Sequence, residues 1–531
     1  MKINFTLVLC LLFKIVVAQE NKNINSINDW WINESSDTLP SINLKGVYDY
    51  INKNNIKAGK KVIVSFIDTD IDIDHQAFDN LIWTNKDEIP NNNIDDDGNG
   101  YVDDLNGWNF IAQKSNGESL DYTLMEKTRI LINFSERKLN RLYKKGKILF
   151  DYEDVKSSYD ETIKSLKEKI KPYADQESNY TEIYNVLKDS FNLEVIKQED
   201  LENLETSSEY LKQCIAYVKY YYDTGFPYNE FIDYLNYKQK SLDICMNLEY
   251  DNRELVGDDQ NDINDRDYGS PKISGKANSI DHSTKVSGVV VNGLSKFINS
   301  NNFSYGIMPI VITGIGDPTD KDTALAIRYA VDNGAKVINL SQTKSFSIHN
   351  KFVDDALIYA EKHDVLIVKS AGNENLDLDI ETRYPNDTDN SNNEIVSNVI
   401  TVAASTDQIK DGIVDDSSNY GQNTVDIFAP STKISTFLPD NKYFTTSGGT
   451  SYAAPVVTVV AILIRAYFPD LSASQVKQIL MDSGTKYDVD VTITKDNDEE
   501  IVKPFSSLSI SGKIVNAYNA FLMAEEMSNT N

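Results

Sequence analysis

The sequence of 531 residues predicts an α/β fold: a mostly parallel central sheet flanked by helices and interrupted by a long helical insertion. Three observations predict it. Short apolar runs recur at Val62 to Ile67, Val337 to Leu340, Val365 to Val368, Val399 to Ala403 and Val425 to Phe428. Each is continuously apolar rather than alternating, as expected of strands buried on both faces of a parallel sheet. Helical patterns fall between or after these runs, for example Thr323 to Asn333 and Ser472 to Asp482, the second opened by a capping box of Ser472 and Gln475. From residue 119 to 252, finally, the chain is charged, rich in tyrosine and almost free of glycine and proline.

That stretch reads as helices because Leu139 and Leu142, then Ile163, Leu166 and Ile170, then Leu211, Ile215 and Val218 recur at helical spacing. Breaks are expected near Gly146, Pro172 and Gly225 to Pro227. The chain divides accordingly into residues 1–18, 19–58, 59–118, 119–252 and 253–531.

Met1 to Ala18 reads as a secretory signal, with Lys2 at the start, an apolar core from Phe5 to Phe13 and Val16-Val17-Ala18 as the cleavage site. The rival reading is a short buried helix. An exported protein, periplasmic or extracellular, is the expectation. Cys10 lies too deep in that core to be a lipid-attachment site, and no later stretch approaches the ~20 apolar residues of a membrane span. Residues 19–58 are polar, with Trp30 and Trp31 expected to pin them to the body. The formal charge of −29, from 52 basic and 81 acidic side chains, argues against nucleic-acid binding and against attraction to anionic membranes. Cys214 and Cys245 either pair in an oxidising compartment or remain two buried thiols.

The most informative run is Gly448-Gly449-Thr450-Ser451-Tyr452-Ala453-Ala454-Pro455, followed by an apolar helix from Val456 to Tyr467. Glycines allow a tight turn, and a helix start presents free N–H groups and a positive dipole end to a neighbouring hydroxyl. Pro455 fits a first helical turn, where no N–H partner is lost. The bland alternative is a helix N-cap with no chemistry. A serine nucleophile needs a base, and the chain has only four histidines. His349 lies in a polar stretch, His363 suits a helix C-terminus, and His75 reads as part of a surface turn. His282 stands where Asp281 to Gly288 runs into the apolar Val289-Val290-Val291, at a helix entrance beside something buried. Asp68 closes the strand-like run Val62 to Ile67, at the sheet edge where open α/β folds gather functional groups. Asp70, Asp72 and Asp74 follow on a loop expected to face solvent. The order Asp68, His282, Ser451 is one of three known chain orders of a catalytic triad.

These residues resemble the subtilases, the subtilisin-like serine peptidases. The family marks its acid with Asp-Thr-Gly, matched by Asp68-Thr69-Asp70, and its base with His-Gly-Thr-His-Val-Ala-Gly, matched by His282 to Gly288. Its nucleophile motif, Gly-Thr-Ser-Met-Ala-x-Pro, is matched by Gly449 to Pro455 with Tyr452 in the methionine place. A fourth match is Ala371-Gly372-Asn373 after Val365 to Val368. The resemblance implies a subtilisin-like fold and a serine endopeptidase acting on peptides or proteins through an acyl-enzyme. Ser451 would be the nucleophile, His282 the base, Asp68 the orienting acid and Asn373 the oxyanion donor.

Departures from the pattern are Asp70, Ser283 and Thr343 in place of glycines and Lys285 in place of a second histidine. Asp70 is expected to raise the imidazole pKa, and Thr343 to narrow the first specificity pocket. Three missing glycines motivate a rival reading, a silent subtilase fold that binds peptides; a more remote one is an unrelated adhesion protein with Asn-rich loops. The insertion leaves and re-enters the chain between Asp68 and His282, so its roots are expected near one rim of the cleft. There it either restricts access or is an inert surface elaboration.

A second candidate site is Asp95-Asp96-Asp97-Gly98-Asn99-Gly100-Tyr101-Val102-Asp103. Oxygen ligands at positions 1, 3, 5 and 9 with glycine at 6 match the opening of an EF-hand loop, so Asp95, Asp97, Asn99, the Tyr101 carbonyl and Asp103 are candidate ligands of a structural Ca²⁺. The closing glutamate is absent, since Asn106 stands in its place. A solvated acidic turn is the alternative. Asp258, Asp259, Asp262 and Asp265 form a looser acidic loop not read as a site.

Overall fold

The computed structural model describes residues 30–34, 39–275, 280–298, 300–389, 393–495 and 499–530. The expected secretory signal, with Cys10, lies outside them. The described chain separates into two compact units, residues 127–250 and the remainder.

The larger unit is built on a nine-stranded sheet in the order Thr485–Lys486, Lys513–Ile514, Ile427–Pro430, Val399–Ser405, Leu366–Ser370, Val337–Leu340, Val62–Asp68, Tyr305–Val311 and Trp108–Asn109. Only Thr485–Lys486 runs antiparallel to its neighbour. All five apolar runs of the sequence become strands here. Along Val62–Asp68 the side chains alternate between two cores: Val64 and Phe66 join one, Ile67 the other. Helices Asp281–Leu294, Thr450–Tyr467 and Ala517–Thr530 cover the first face, while Asp320–Asp332 and Asn350–Lys362 cover the second. Thr450–Tyr467 is the one helix among the described residues long and apolar enough to cross a membrane, and 89% of it is buried inside this unit.

Tyr305–Val311 is a strand that periodicity missed, because Pro309 within the run argues against a central strand. The outer neighbour Trp108–Asn109 pairs only from Ile310 onward. The segment expected as a polar arm is integral from Trp30 on. Trp31 is fully buried, Trp30 donates through Nε1 to the Thr432 carbonyl at 2.9 Å, and helix Leu44–Asn54 adds Leu44, Val47 and Ile51 to the first core.

The smaller unit contains helices Glu136–Lys144, Tyr152–Phe191, Gln198–Asn203, Glu209–Asp223 and Tyr228–Lys240. It buries an aromatic core in which Tyr180 stacks on Tyr221 at 4.3 Å and Tyr184 on Tyr228 at 4.1 Å. The breaks at Gly146 and Gly225 to Pro227 appear, but Pro172 lies inside the 40-residue helix. Tyr173, the next residue, packs against Phe226, Phe231 and Tyr234, contacts that hold the helix across the lost hydrogen bond. Cys214 and Cys245 are both buried, and no disulfide joins them.

The larger unit keeps residues 119–126 and 251–252 for itself. Backbone bridges Ala112 to Ser119 and Tyr122 to Ile315 tie the first stretch down. Beyond the second stretch, the Arg253 guanidinium pairs with Asp322 at 2.7 Å and Asp258 at 2.6 Å. Lys321, fully buried, pairs with Asp258 at 2.9 Å. The acidic loop of Asp258 is thus a charge partner for Arg253 and for helix Asp320–Asp332.

Candidate active site

Strand Val62–Asp68 ends by delivering Asp68, 1% exposed, to the C-terminal edge of the sheet. His282 is the second residue of helix Asp281–Leu294, and its Nδ1 lies 2.7 Å from Asp68 Oδ1. The same oxygen accepts from the Thr69 N–H at 2.7 Å and the Gln342 amide at 3.3 Å. A carboxylate held by three donors keeps the imidazole proton on Nδ1 and leaves Nε2 for outside chemistry. A third of the His282 side chain stays open to solvent. Burial lowers the imidazole pKa, but the charge and hydrogen bond of Asp68 outweigh it, so the net shift is upward from 6.5; Lys285 opposes the rise and Asp281 adds to it. Lys285 pairs with Asp281 at 2.6 Å.

Asp70 corrects an expectation. It is 1% exposed rather than solvent-facing, and its Oδ1 accepts from Ser119 Oγ at 2.5 Å, which draws it into the body. The leading charges that move His282 are those of Asp68, Lys285 and Asp281. His75 is likewise 1% exposed and not a surface residue. Its Nδ1 accepts from the Ala77 N–H at 3.0 Å and its ring packs on Phe437 at 5.1 Å. His363 caps helix Asn350–Lys362 as expected.

The helix bearing Ser451 begins at Thr450, six residues before the expected Val456. Ser451 is its second residue, and Pro455 stands within the helix rather than in its first turn. The missing N–H of Pro455 leaves the Ser451 carbonyl without its i+4 donor. Ser341 Oγ supplies the replacement at 3.0 Å, and Ser451 Oγ donates in return to the Ser341 carbonyl at 3.3 Å. The turn before the helix demands glycine at Gly448: φ is +132°, and a Cβ there would lie 2.0 Å from Asp415 Oδ2. That same Asp415 oxygen accepts from the Gly449 N–H at 3.0 Å.

Asn373 follows strand Leu366–Ser370 and is exposed. Its Oδ1 accepts from the Thr450 N–H at 2.8 Å and from Thr450 Oγ1 at 3.0 Å. A backbone N–H can only donate, so this pairing sets the amide orientation and turns Nδ2 outward as a donor. Among the described residues the Ser451 N–H takes no acceptor. Asn373 is thereby tied to Thr450, the residue before Ser451, and the Ser451 N–H stands in the first turn of the helix, where N–H groups can stabilise negative charge. Thr343 Oγ1 lies 3.2 Å from where a Cβ on Gly372 would sit, so its hydroxyl occupies space beside Asn373. Among the described residues no hydrogen bond joins His282 to Ser451.

Residues 59–498 match the model of the subtilase family. The chain belongs to that family. Subtilisin-like protease 1 of Plasmodium falciparum (isolate 3D7) is 29% identical over 272 residues, covering 45% of this chain and 38% of that protein. The cell wall-associated protease of Bacillus subtilis (strain 168) is 30% identical over 222 residues, 40% of this chain and 22% of its own. The chain thus spans well under half the length of these curated relatives. Among solved structures, a lanthipeptide protease is similar with 23% identity and a TM-score of 0.37, covering 48% of this chain and 78% of its own.

At the acidic loop, the structure groups Asp95 and Asp97 with Glu88, their carboxylate oxygens all within 4.8 Å of one another. Asp103, a ligand candidate by spacing, is turned elsewhere: its carboxylate caps the N–H groups of Asn92 at 3.0 Å and Asn93 at 2.9 Å. Asn99 stays with the cluster, its amide donating to Asp97 at 3.1 Å. The Tyr101 ring is buried against Trp108 and Tyr329. Glu88 was missed because it precedes the loop and falls outside any EF-hand spacing. Glu88 Oε1 accepts from the Asp96 and Asp97 N–H groups, while Oε2 is buried with no hydrogen-bond partner.

Proposed function

We propose that this chain is an exported serine endopeptidase that hydrolyses peptide bonds of peptide or protein substrates through Asp68, His282, Ser451 and Asn373. The reading is carried by one observation: the 2.7 Å Asp68–His282 pair stands at the same sheet edge as a helix start bearing Ser451. The hydroxyl swings about χ1 from the Ser341 carbonyl to the His282 Nε2 side and attacks the substrate carbonyl. His282 takes its proton and returns it to the leaving amine, and Asp68 stabilises the imidazolium. The oxyanion receives the Asn373 Nδ2 and Ser451 N–H donors. Water then enters by the same base to release the acyl group. A fluorophosphonate probe tests this directly: it labels the wild-type protein and not Ser451→Ala, and absence of labelling in the wild type would falsify the assignment.

The alternative, a silent fold that binds peptides, is favoured by the Ser451 hydroxyl resting on the Ser341 carbonyl. Peptide binding without labelling is its signature.

The acidic loop fits a calcium ion as a structural element. All its donors are hard oxygens, Glu88 offers a buried Oε2 with no hydrogen-bond partner, and one carboxylate oxygen of each of Glu88, Asp95 and Asp97 lies within 4.8 Å of the others. Glu88, Asp95, Asp97, Asn99 and the Tyr101 carbonyl would hold the ion, which would supply stability rather than chemistry.

A further inference from the structure

The stretch Ser341 to Thr343 meets the candidate site at three consecutive residues. Ser341 exchanges hydrogen bonds with Ser451, Gln342 donates to Asp68, and Thr343 sits beside Gly372. Among the described residues the backbone groups of Gln342 and Thr343 take no partner, and both residues are half-buried. They form an open edge that an extended peptide can join by main-chain hydrogen bonds. The following residue closes the edge: Lys344 exchanges both backbone hydrogen bonds with Tyr384, at 2.8 and 2.9 Å.

The Lys344 side chain turns inward. Its ammonium, on a residue 5% exposed, donates to the Pro318 carbonyl at 3.0 Å and pairs with Asp320 at 2.7 Å and Glu126 at 3.4 Å. Asp320 also accepts from Ser347 Oγ at 2.8 Å and the His349 N–H at 2.8 Å. Glu126, 3% exposed, is fixed through its own N–H to Asp317 at 2.8 Å. Asp317 and Pro318 belong to the loop that leaves strand Tyr305–Val311, and Asp320 opens the helix that follows; the earlier part of the loop, Ile315, is paired with Asp121 and Thr123. One buried cation therefore joins three backbone segments: the open edge at Gln342 and Thr343, the loop after the neighbouring strand, and the chain just before residue 127. A buried ammonium between two buried carboxylates holds a fixed geometry, because releasing either carboxylate leaves a buried charge uncompensated.

We propose that Lys344 is a positioning residue for the peptide substrate. It sets the spacing between the Ser341–Thr343 edge and the Ile315–Pro318 loop with the helix start at Asp320. The proposal rests on the endopeptidase reading for its kinetic test, and on peptide binding alone for a second. In the full chain, with kcat normalised to sites titrated by a fluorophosphonate, Lys344→Met raises KM for a tetrapeptide amide at least tenfold while kcat per titrated site changes less than threefold. Lys344→Arg, which keeps the charge, recovers most of that loss. A general loss of fold lowers the titratable fraction instead and leaves KM alone. In a Ser451→Ala background, the Kd for the same tetrapeptide rises at least tenfold on adding Lys344→Met, whether or not the wild type is an active peptidase. If Lys344→Met does not fold, Lys344→Met/Asp320→Asn, which removes the nearer of the two opposing buried charges, carries both measurements. An unchanged KM and Kd, or a fall in kcat per site as large as the rise in KM, overturns the proposal. Failure of the wild type to label or turn over overturns the endopeptidase reading and leaves the binding test to decide on Lys344.

Discussion

Ser341 and Ser451 hold each other by two hydrogen bonds, Ser341 Oγ to the Ser451 carbonyl at 3.0 Å and Ser451 Oγ to the Ser341 carbonyl at 3.3 Å. The first exists because Pro455 cannot offer the N–H that a helix would place there. The second holds the candidate nucleophile on a backbone oxygen rather than on the imidazole.

This pairing makes a stability prediction. Ser341→Ala leaves the Ser451 carbonyl without a donor and costs about 1–3 kcal/mol. Pro455→Ala restores an N–H to the same oxygen, so the cost of Ser341→Ala shrinks in that background. Urea unfolding of the four proteins measures the coupling; strict additivity would show that the two residues do not share the carbonyl.

Asn373 is aligned by Thr450 so that its Nδ2 faces outward. Asn373→Leu is expected to lower kcat by about 10²–10³ with little change in KM. Steady-state kinetics on a peptide amide checks this, and an unchanged kcat removes Asn373 from the mechanism.

The pH profile follows from His282. Catalysis needs the neutral imidazole, and its pKa is raised above 6.5, so kcat/KM should fall on the acid side with a midpoint above 6.5. Lys285 lowers that pKa, so Lys285→Met moves the midpoint to higher pH. A shift to lower pH would contradict the electrostatic assignment.

His75 acts on stability instead. Burial lowers its pKa from 6.5, opposed by the charge of Asp72 and a backbone hydrogen bond at Lys442, with Asp79 adding to the opposition. The unfolded chain then binds the proton more readily, so stability is present above pH 6.5 and is lost as pH falls toward the depressed folded value. His75→Asn, which can still accept from the Ala77 N–H, should flatten the loss of Tm between about pH 7 and 5. An equal slope in both proteins would place the acid sensitivity elsewhere.

Calcium binding is checked by thermal melts. EDTA should lower Tm, Glu88→Gln should weaken the response to added Ca²⁺, and Asp103→Asn should weaken it much less. A Tm indifferent to EDTA removes the site, and equal effects of the two variants would restore Asp103 to the ligand set.

Much of the site was legible because its signals are local. A strand that ends in Asp68, a helix that starts at His282 and a glycine turn before Ser451 each declare themselves within about ten residues of sequence. The errors were local signals overridden by packing. Pro455 read as a first-turn proline, yet the helix begins at Thr450 because Asn373 caps it from outside. Asp70 and His75 read as surface residues in an acidic loop, yet Ser119 and Phe437 draw them inside. Pro172 read as a break, yet aromatic packing around Tyr173 carries the helix through.

By itself, then, the sequence determined the α/β class, the family and the Asp68–His282 pair at the sheet edge, since strand and helix ends are set by neighbours in the chain. Tertiary structure alone decided the rest: that Glu88 rather than Asp103 joins the acidic cluster, that Ser341 replaces the lost donor of Pro455, and that Lys344 binds Glu126 and Asp320. Those partners lie far apart along the chain, and nothing in local spacing says which buried charge or carbonyl will find which donor. Only the packed register of strands and loops brings them within hydrogen-bond reach, and once water is excluded an unmatched group there is too costly to persist.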